Sequence, residues 1–324
     1  LVSARLTGGA TPVGIYLVDV FDNILPIKEL PGHMLLEPIP LRPSERPPVR
    51  PELVDTNSTQ ATVYIQDVYA GKGLRRVPRG TVSSLRVFQY EYGYRDCAGA
   101  NSIACDGGWD VRRIIGTTPV HEDGSASFIV PANTPISVQP LDAEGKAMAL
   151  FRSWFVGMPG ETVSCIGCHE DQNEAVPNVP SIASRKRPAI PEPWHGPKRG
   201  FSFIREVQPV LDKYCVGCHQ GANAEEQAIP DFSFDPDDKK QYVRIGRSNF
   251  FSSSYVALHP YVRRNGLEGD YHPLTPLEFH ADTSELIQIL KKNHHGVNLD
   301  NEAWDRLVTW IDLNVPFYGT WLEA

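Results

Sequence analysis

The apolar positions of this chain alternate at first and later recur at helical spacing. Residues 13–21 read Val13-Gly14-Ile15-Tyr16-Leu17-Val18-Asp19-Val20-Phe21, β-branched and aromatic, and Asp22-Asn23 follows as a turn. This predicts a strand and a hairpin into residues 24–27. Two strands alone are not stable, so the pair is expected to complete a larger sheet. Pro38, Pro40, Pro43, Pro47, Pro48 and Pro51 then exclude helix and central strand, which predicts an extended linker. From 62 to 159 the pattern is strand after strand: 62–69, 84–92, 125–130 with Ala126, Phe128 and Val130 on one face, 136–138 and 148–155. Asp123-Gly124, Asn133-Thr134-Pro135 and Asp142-Ala143-Glu144-Gly145 mark turns between them. Short strands separated by turn signals predict a β-sandwich or small barrel.

The period then changes. Ile204, Val207, Val210 (or Leu211) and Tyr214 predict a helix over 203–214, kinked by Pro209 or starting near Gln208. Residues 221–280 show weak periodicity and read as loops. Asp282 or Thr283 is expected to cap a helix over 284–291, ended by Asn293-His294-His295-Gly296. Asp300 is expected to cap a last helix to about residue 313, with Trp304, Leu307, Val308 and Ile311 as its apolar stripe and Asn314 and Pro316 as its stop.

Candidate chemistry sits between these regions. Cys-x-x-Cys-His occurs twice, as Cys165-Ile166-Gly167-Cys168-His169 and Cys215-Val216-Gly217-Cys218-His219. The pattern is the attachment signature of c-type haem. Two thiols at short, fixed separation add to the vinyl groups of one porphyrin, and the following His gives its imidazole to the iron. A zinc site made of both Cys pairs, or a redox dithiol, leaves each following His unexplained. The expected cofactors are two covalently bound haem c groups. The boundaries that follow are 1–37, a strand pair; 38–60, a Pro-rich linker; 61–160, the sandwich or barrel; 161–200, the first haem segment and a second Pro-rich linker; and 201–324, a cytochrome c-like domain with the second haem. The fold class is α+β: a β-sandwich-like domain followed by a mainly α-helical cytochrome c-type dihaem region.

Charge and cysteine use narrow the setting. Lys and Arg number 31 against 39 Asp and Glu, a formal net charge of -8. That argues against nucleic acid or an anionic membrane surface as partner of the chain as a whole. No apolar run reaches bilayer length. Covalent haem attachment is expected outside the cytoplasm, in the periplasm or extracellular space, with a removed signal or a longer precursor. Of the six cysteines, Cys97 and Cys105 remain after the two motifs, and in an oxidising compartment they are expected to form a disulfide. His121 beside Glu122 and Asp123 reads as a solvated acidic turn. Arg185-Lys186-Arg187 reads as a solvated linker or as a docking patch for an acidic redox partner.

Several stretches resemble the alpha subunit of hydrazine synthase: Arg79-Gly80-Thr81-Val82, Asp123-Gly124-Ser125-Ala126, Met158-Pro159-Gly160-Glu161, both haem motifs, and Asn293-His294-His295 with the helix from Trp304 to Trp310. The segment 207–219 is also similar to a widespread monohaem cytochrome c module. The resemblance implies that residues 1–37 match the end of a β-propeller. It implies that the haem at His169 is the catalytic one, and that the haem at His219, with two His ligands, passes electrons. His294 is the expected distal ligand there and His295 the alternative. In the family a tyrosine four residues after the first haem-binding His meets the iron; here that position is Asn173. No His stands near the first motif at helical spacing. His121, His195, His259 and His272 are distant candidates for its sixth position, His195 the best of them. The leading reading is an exported dihaem cytochrome in electron transfer, with redox partner proteins or other haem subunits. The alternatives are a haem enzyme acting on small nitrogen or oxygen species at His169, and a polymerising cytochrome.

Overall fold

The computed structural model describes the chain except residues 7–12, 50–51, 53, 92–102, 106–109, 151, 171–172, 174–178, 223–227, 247–248, 267–273 and 324. The chain divides into two compact units, Leu1–Glu52 and Leu53–Ala324.

In the first unit, β1 (Val2–Ala4), β2 (Gly14–Val18) and β3 (Ile24–Lys28) form an antiparallel sheet in the order β1-β2-β3. The expected pair therefore has a third strand. β2 stops at Val18 because the Asp19 carboxylate accepts the backbone N–H groups of Phe21 and Asn23 and the Asn23 side-chain amide. Such a bond offers the backbone a turn in place of the ladder. Ile24, Leu25 and Ile27 on β3 remain exposed. Residues 33–49 hold no regular element, as their prolines require.

The second unit is rich in sheet and has two main cores. The first lies between two sheets. One contains β4 (Gln60–Ile65), β7 (Ala126–Pro131) and β10 (Thr162–Cys165), ordered β10-β4-β7. The other contains β5 (Ser84–Glu91), β6 (Val111–Pro119), β8 (Pro135–Leu141) and β9 (Phe155–Val156), ordered β6-β5-β8-β9. Val63 and Ile65 of β4, Phe128 and Val130 of β7, Leu85 and Val87 of β5 and Ile136 of β8 meet between them. Alternation along each strand puts these residues on one face.

Two features depart from the sequence expectation. The stretch 148–155 is strand only at Phe155–Val156. Met148 and Ala149 are buried, yet the Met148 N–H donates to Pro140 and its carbonyl accepts from Leu277, so an irregular turn uses the apolar residues. In contrast β6 is a nine-residue strand whose charged start, Val111-Arg112-Arg113, conceals it. Arg112 is buried with its guanidinium over Phe88 and Tyr90, and Arg113 pairs with Glu91. β6 also serves both cores: Ile114 belongs to the second and Ile115 packs on the first.

The second core is built by short helices. α1 (Phe203–Glu206) and α2 (Gln208–Tyr214) break at Val207, where Pro209 falls in the first turn of α2. Two hairpins interrupt the loop region: β11 (Gln220–Ala222) with β12 (Ala228–Asp231), and β13 (Tyr242–Ile245) with β14 (Asn249–Ser252). α3 (Ser253–Leu258) follows, capped by the Ser252 hydroxyl. α4 (Glu285–Lys291) takes Ser284 as N-cap, not Asp282 or Thr283, which belong to a preceding 3-10 turn. α5 (Asn301–Asp312) is capped by Asp300 through Ala303. Phe203, Leu211, Tyr255, Leu258, Ile287, Leu307, Trp310 and Ile311 are all buried together. The Pro-rich segment before α1 is not free chain. Arg113 bridges Gly200 and Thr117 bridges Glu192 along the β6 edge.

A buried ion pair fixes α5 on the sandwich. Arg86 of β5 is 1% exposed and Asp312 of α5 is 0% exposed, 2.9 Å apart. Arg86→Met is expected to lower stability by about 3–5 kcal/mol, because it leaves the Asp312 carboxylate buried without its partner. Arg86→Met with Asp312→Leu is expected to cost less than the two single changes summed. Urea-unfolding midpoints of the four proteins in the cycle check this.

Candidate functional sites

The first Cys-x-x-Cys-His motif begins on a strand. Cys165 ends β10, in parallel register with Ile65 of β4. The chain after β4 continues beside the motif. Gln66 N–H donates to the Cys165 carbonyl at 3.0 Å, Asp67 to Ile166 at 3.0 Å, Gly73 to Cys168 at 2.9 Å and Lys72 to His169 at 3.1 Å. Most of the motif's carbonyls are thus held by one loop. The loop approaches so closely that Gly71, at φ +85, has no room for a Cβ: one would lie 2.6 Å from the carbonyl oxygens of Cys168 and His169. His169 itself sits at φ 58. A cavity of about 190 Å³ opens there, lined by Ile65, Ser137, Val138, Ser153, Trp154, Phe155 and the motif residues Cys165, Gly167, Cys168 and His169. Burial pushes the Cys168 thiol up to about 12 and the Cys165 thiol up to about 11, with the negative charge of Glu170 adding to both. Both groups are neutral thiols at neutral pH.

The second motif begins at a helix end. Cys215 follows α2, and its N–H donates to Leu211; His219 N–H donates to Cys215. The His219 imidazole has two fixed neighbours. Its Nδ1 lies 3.2 Å from the Pro230 carbonyl on β12, and its ring stacks on Phe232 with centroids 4.7 Å apart. A ring N–H donated to a backbone carbonyl fixes the tautomer and leaves Nε2 to face outwards. Opposite stands His294, with its ring centroid 6.0 Å from that of His219 and the planes tilted by 32°. His295 is exposed and meets His294 edge-on. Burial first, then His295 and His219, lower the His294 pKa and favour its neutral imidazole. Burial pushes the Cys215 thiol up to about 11. The helix pair that carries this site is tied at Asp300, which accepts from Tyr214 at 2.7 Å and Lys213 at 3.0 Å.

The remaining sequence candidates lie elsewhere. His195 does not line the cavity; its Nε2 is 2.8 Å from Asp305 of α5, and Trp194 donates to the same oxygen. His259 is buried with Cys105 Sγ 3.1 Å away. Asp123 beside His121 is a turn carboxylate, accepting from Ser125 and from Ile182. Asn173 is exposed and is not among the cavity's lining residues. Cys97 of the expected disulfide and His272 lie outside the described residues. The two Cys pairs sit against different cores, and among the described residues no three His, Cys, Asp or Glu side chains converge on a metal position, so a shared zinc has no donor set. Among the described residues no helix is long and apolar enough to cross a membrane.

Sequence reasoning missed the loop 66–73, the Trp154-Phe155 wall and the Pro230 acceptor. Only the first left a signal, the closely spaced Gly71-Lys72-Gly73 after a strand.

Residues 80–170 match the family model of the hydrazine synthase alpha subunit middle domain, a span that runs from just before β5 through the first motif. Among solved structures, Kuenenia stuttgartiensis hydrazine synthase matches with a TM-score of 0.55 at 17% identity over 80% of this chain. The chain spans 43% of the length of that relative, and at this identity the likeness is one of fold. No curated protein matches.

The two motifs share Gly at the same place with different surroundings. A Cβ on Gly167 would lie 2.4 Å from the Ala70 carbonyl oxygen, whereas one on Gly217 meets nothing within 4 Å. Gly167→Ala is expected to cost about 2 kcal/mol or more, and Gly217→Ala to change stability by less than about 0.5 kcal/mol. Thermal unfolding of the two variants checks the contrast.

Proposed function

We propose that this chain is an exported haem enzyme of the hydrazine synthase kind, with a reactive haem at His169 and an electron-relay haem at His219. Each group would be held through two thioethers, from Cys165 and Cys168 at one site and from Cys215 and Cys218 at the other. The observation that carries the reading is the asymmetry of the imidazoles. His219 has His294 across from it, with ring centroids 6.0 Å apart, so these two imidazoles would hold the iron of one haem. At the first site, among the described residues lining the cavity, His169 is the one imidazole. The match of 80–170 to the hydrazine synthase middle domain supports assigning the chemistry to that site.

A haem there would supply an iron able to take a small nitrogen or oxygen species and exchange electrons with it. The chain's own residues do the rest. His169 provides the proximal imidazole. Phe155, Val138 and Ile65 form apolar walls, with the half-exposed Trp154 at the cavity's edge. Ser137 and Ser153 are the lining hydroxyls, able to hydrogen-bond a small polar ligand. Asn173 cannot replace a phenolate, so hydrazine formation itself is not the assigned reaction. At the second site, Pro230 orients His219 and the Asp300 contacts hold α2 against α5, near the turn that presents His294. Closed coordination suits transfer of electrons, and partner haem proteins or subunits are the expected source. A second reading, electron transfer at both sites, would need a further donor at the first.

Denatured-protein mass spectrometry is expected to show two added haems. The oxidised protein is expected to contain one high-spin iron that binds cyanide and one low-spin iron that does not. His294→Ala is expected to make the second high-spin while His295→Ala leaves it low-spin. Two low-spin irons without cyanide binding would return the reading to electron transfer alone.

A further inference from the structure

The structure carries a basic surface that the proposed chemistry does not use. Two cationic stretches far apart in sequence are brought to one part of the sandwich. The first is Arg75, Arg76 and Arg79, in the loop after the segment that clamps the first motif. The second is Arg185, Lys186 and Arg187, at and just after the 3-10 turn Ala183–Arg185. All six side chains are exposed.

Their common base is the turn between β6 and β7. Arg79 donates to Asp67 Oδ2 at 2.7 Å and to the Asp123 carbonyl at 2.8 Å. Asp123 Oδ2 accepts the Ile182 N–H at 2.7 Å, and the Ser125 hydroxyl accepts the Ala183 N–H at 3.0 Å. Gln66 reaches the Val179 carbonyl at 3.1 Å, and Tyr64 meets Ser181 at 2.9 Å. The second stretch is therefore docked on β4 and the β6–β7 turn, beside the first stretch. It is also next to the His169 site, since Gln66 and Asp67 both donate to the motif's carbonyls.

Four acids, Asp67, Asp123, Glu122 and Glu170, stand near these six cations and offset the charge only in part. Asp67 is held by Arg79. Asp123 is lowered in pKa because its bonds to Ser125 and Ile182 outweigh its burial, so it stays charged with both oxygens engaged. Glu122 and Glu170 are the exposed carboxylates of these turns. Concentrated positive charge on a chain of net charge -8 gives a strong directional field, the kind that steers and orients an oppositely charged protein.

We propose that Arg75, Arg76, Arg185, Lys186 and Arg187 form a docking surface for an acidic partner protein beside the His169 site. The surface holds the partner by charge, so it admits an acidic protein segment and favours fast, salt-sensitive association. Arg79 is the positioning residue that joins the two halves.

The test uses the full chain and poly-L-glutamate as the acidic probe, titrated by calorimetry at about 0.02 M and about 0.3 M salt. Binding is expected at low salt and is expected to fade at high salt. R75E/R76E and R185E/K186E/R187E are each expected to weaken it about tenfold or more. K239E/K240E, which reverses an exposed pair on the separate turn Lys239–Gln241, is expected to leave it unchanged. Where a reversal lowers the unfolding midpoint, R75Q/R76Q repeats the test with a milder change. Equal binding by all variants, or equal loss in K239E/K240E, overturns the proposal. Tighter binding of phosphatidylglycerol vesicles or duplex DNA, lost in the same variants, would reassign the surface to a membrane or a nucleic acid. Binding is read without reference to haem, so a chain lacking haem at Cys165 and Cys168 would overturn the function proposed above and leave this surface standing.

Discussion

The second unit depends on one buried polar contact, Arg86 with Asp312. Arg86 donates to Gln139 and Asp312 through one nitrogen and to Gly145 and Thr309 through the other. Asp312 also accepts the Ala147 N–H, and its carbonyl accepts from Gln139. Burial pushes the Asp312 carboxyl up to about 6, against the pull of Arg86. Its folded value lies above the ordinary one, so its contribution to stability is greatest at low pH and declines as pH rises through about 6. A pair of this kind adds little net stability over an apolar one, but it tolerates little displacement. Its effect is geometric: the last helix meets the central strand of the four-stranded sheet in one register. Every residue near His294 inherits that register through α5 and its Asp300 cap.

A second ionic knot extends the same logic to the segment between the motifs. Glu206 is 0% exposed, and Arg199, Arg205 and Arg306 all reach it. Burial opposes its charge, but the three guanidinium groups outweigh that and lower its pKa. Arg199 and Arg306 also lie over the Trp194 ring. The Pro-rich segment, α1 and α5 are thereby joined. This explains why His195 faces Asp305 rather than the first cavity: its neighbours Trp194 and Arg199 are already committed to the second core.

The sequence was most legible where one face of an element is apolar. The β4 and β7 strands alternate cleanly, and α5 announces itself by its Asp300 cap and its stripe. It was least legible where charge is buried. Arg112-Arg113 opens a strand that the sequence pattern did not predict, with Arg112 buried and Arg113 half-buried. Met148 and Ala149 read as strand because they are apolar, though their backbone bonds go to a turn. The same limit applies to the sites. The motifs name their own thiols and histidines, but Pro230, Trp154 and the 66–73 loop are set by strand pairing far away in sequence. Beyond the paired glycines Gly71 and Gly73, no local pattern reveals them.

The two motifs show how little of a site lies in its signature. Both read Cys-x-Gly-Cys-His. One hangs from a parallel strand, has its carbonyls clamped by a neighbouring loop, and faces a cavity walled by Trp154 and Phe155. The other follows a helix, leaves open space where a Cβ on Gly217 would stand, and has its imidazole between a carbonyl and a second imidazole. The clamped backbone around the first motif fixes the cavity beside His169, which suits the reactive site proposed there. The short turn bearing His294 brings a second imidazole opposite His219, which suits the relay site proposed there. The proposed division between reactive and relay sites therefore rests on what surrounds each motif, and that surrounding is delivered by β4 on one side and by the α2–α5 pair on the other.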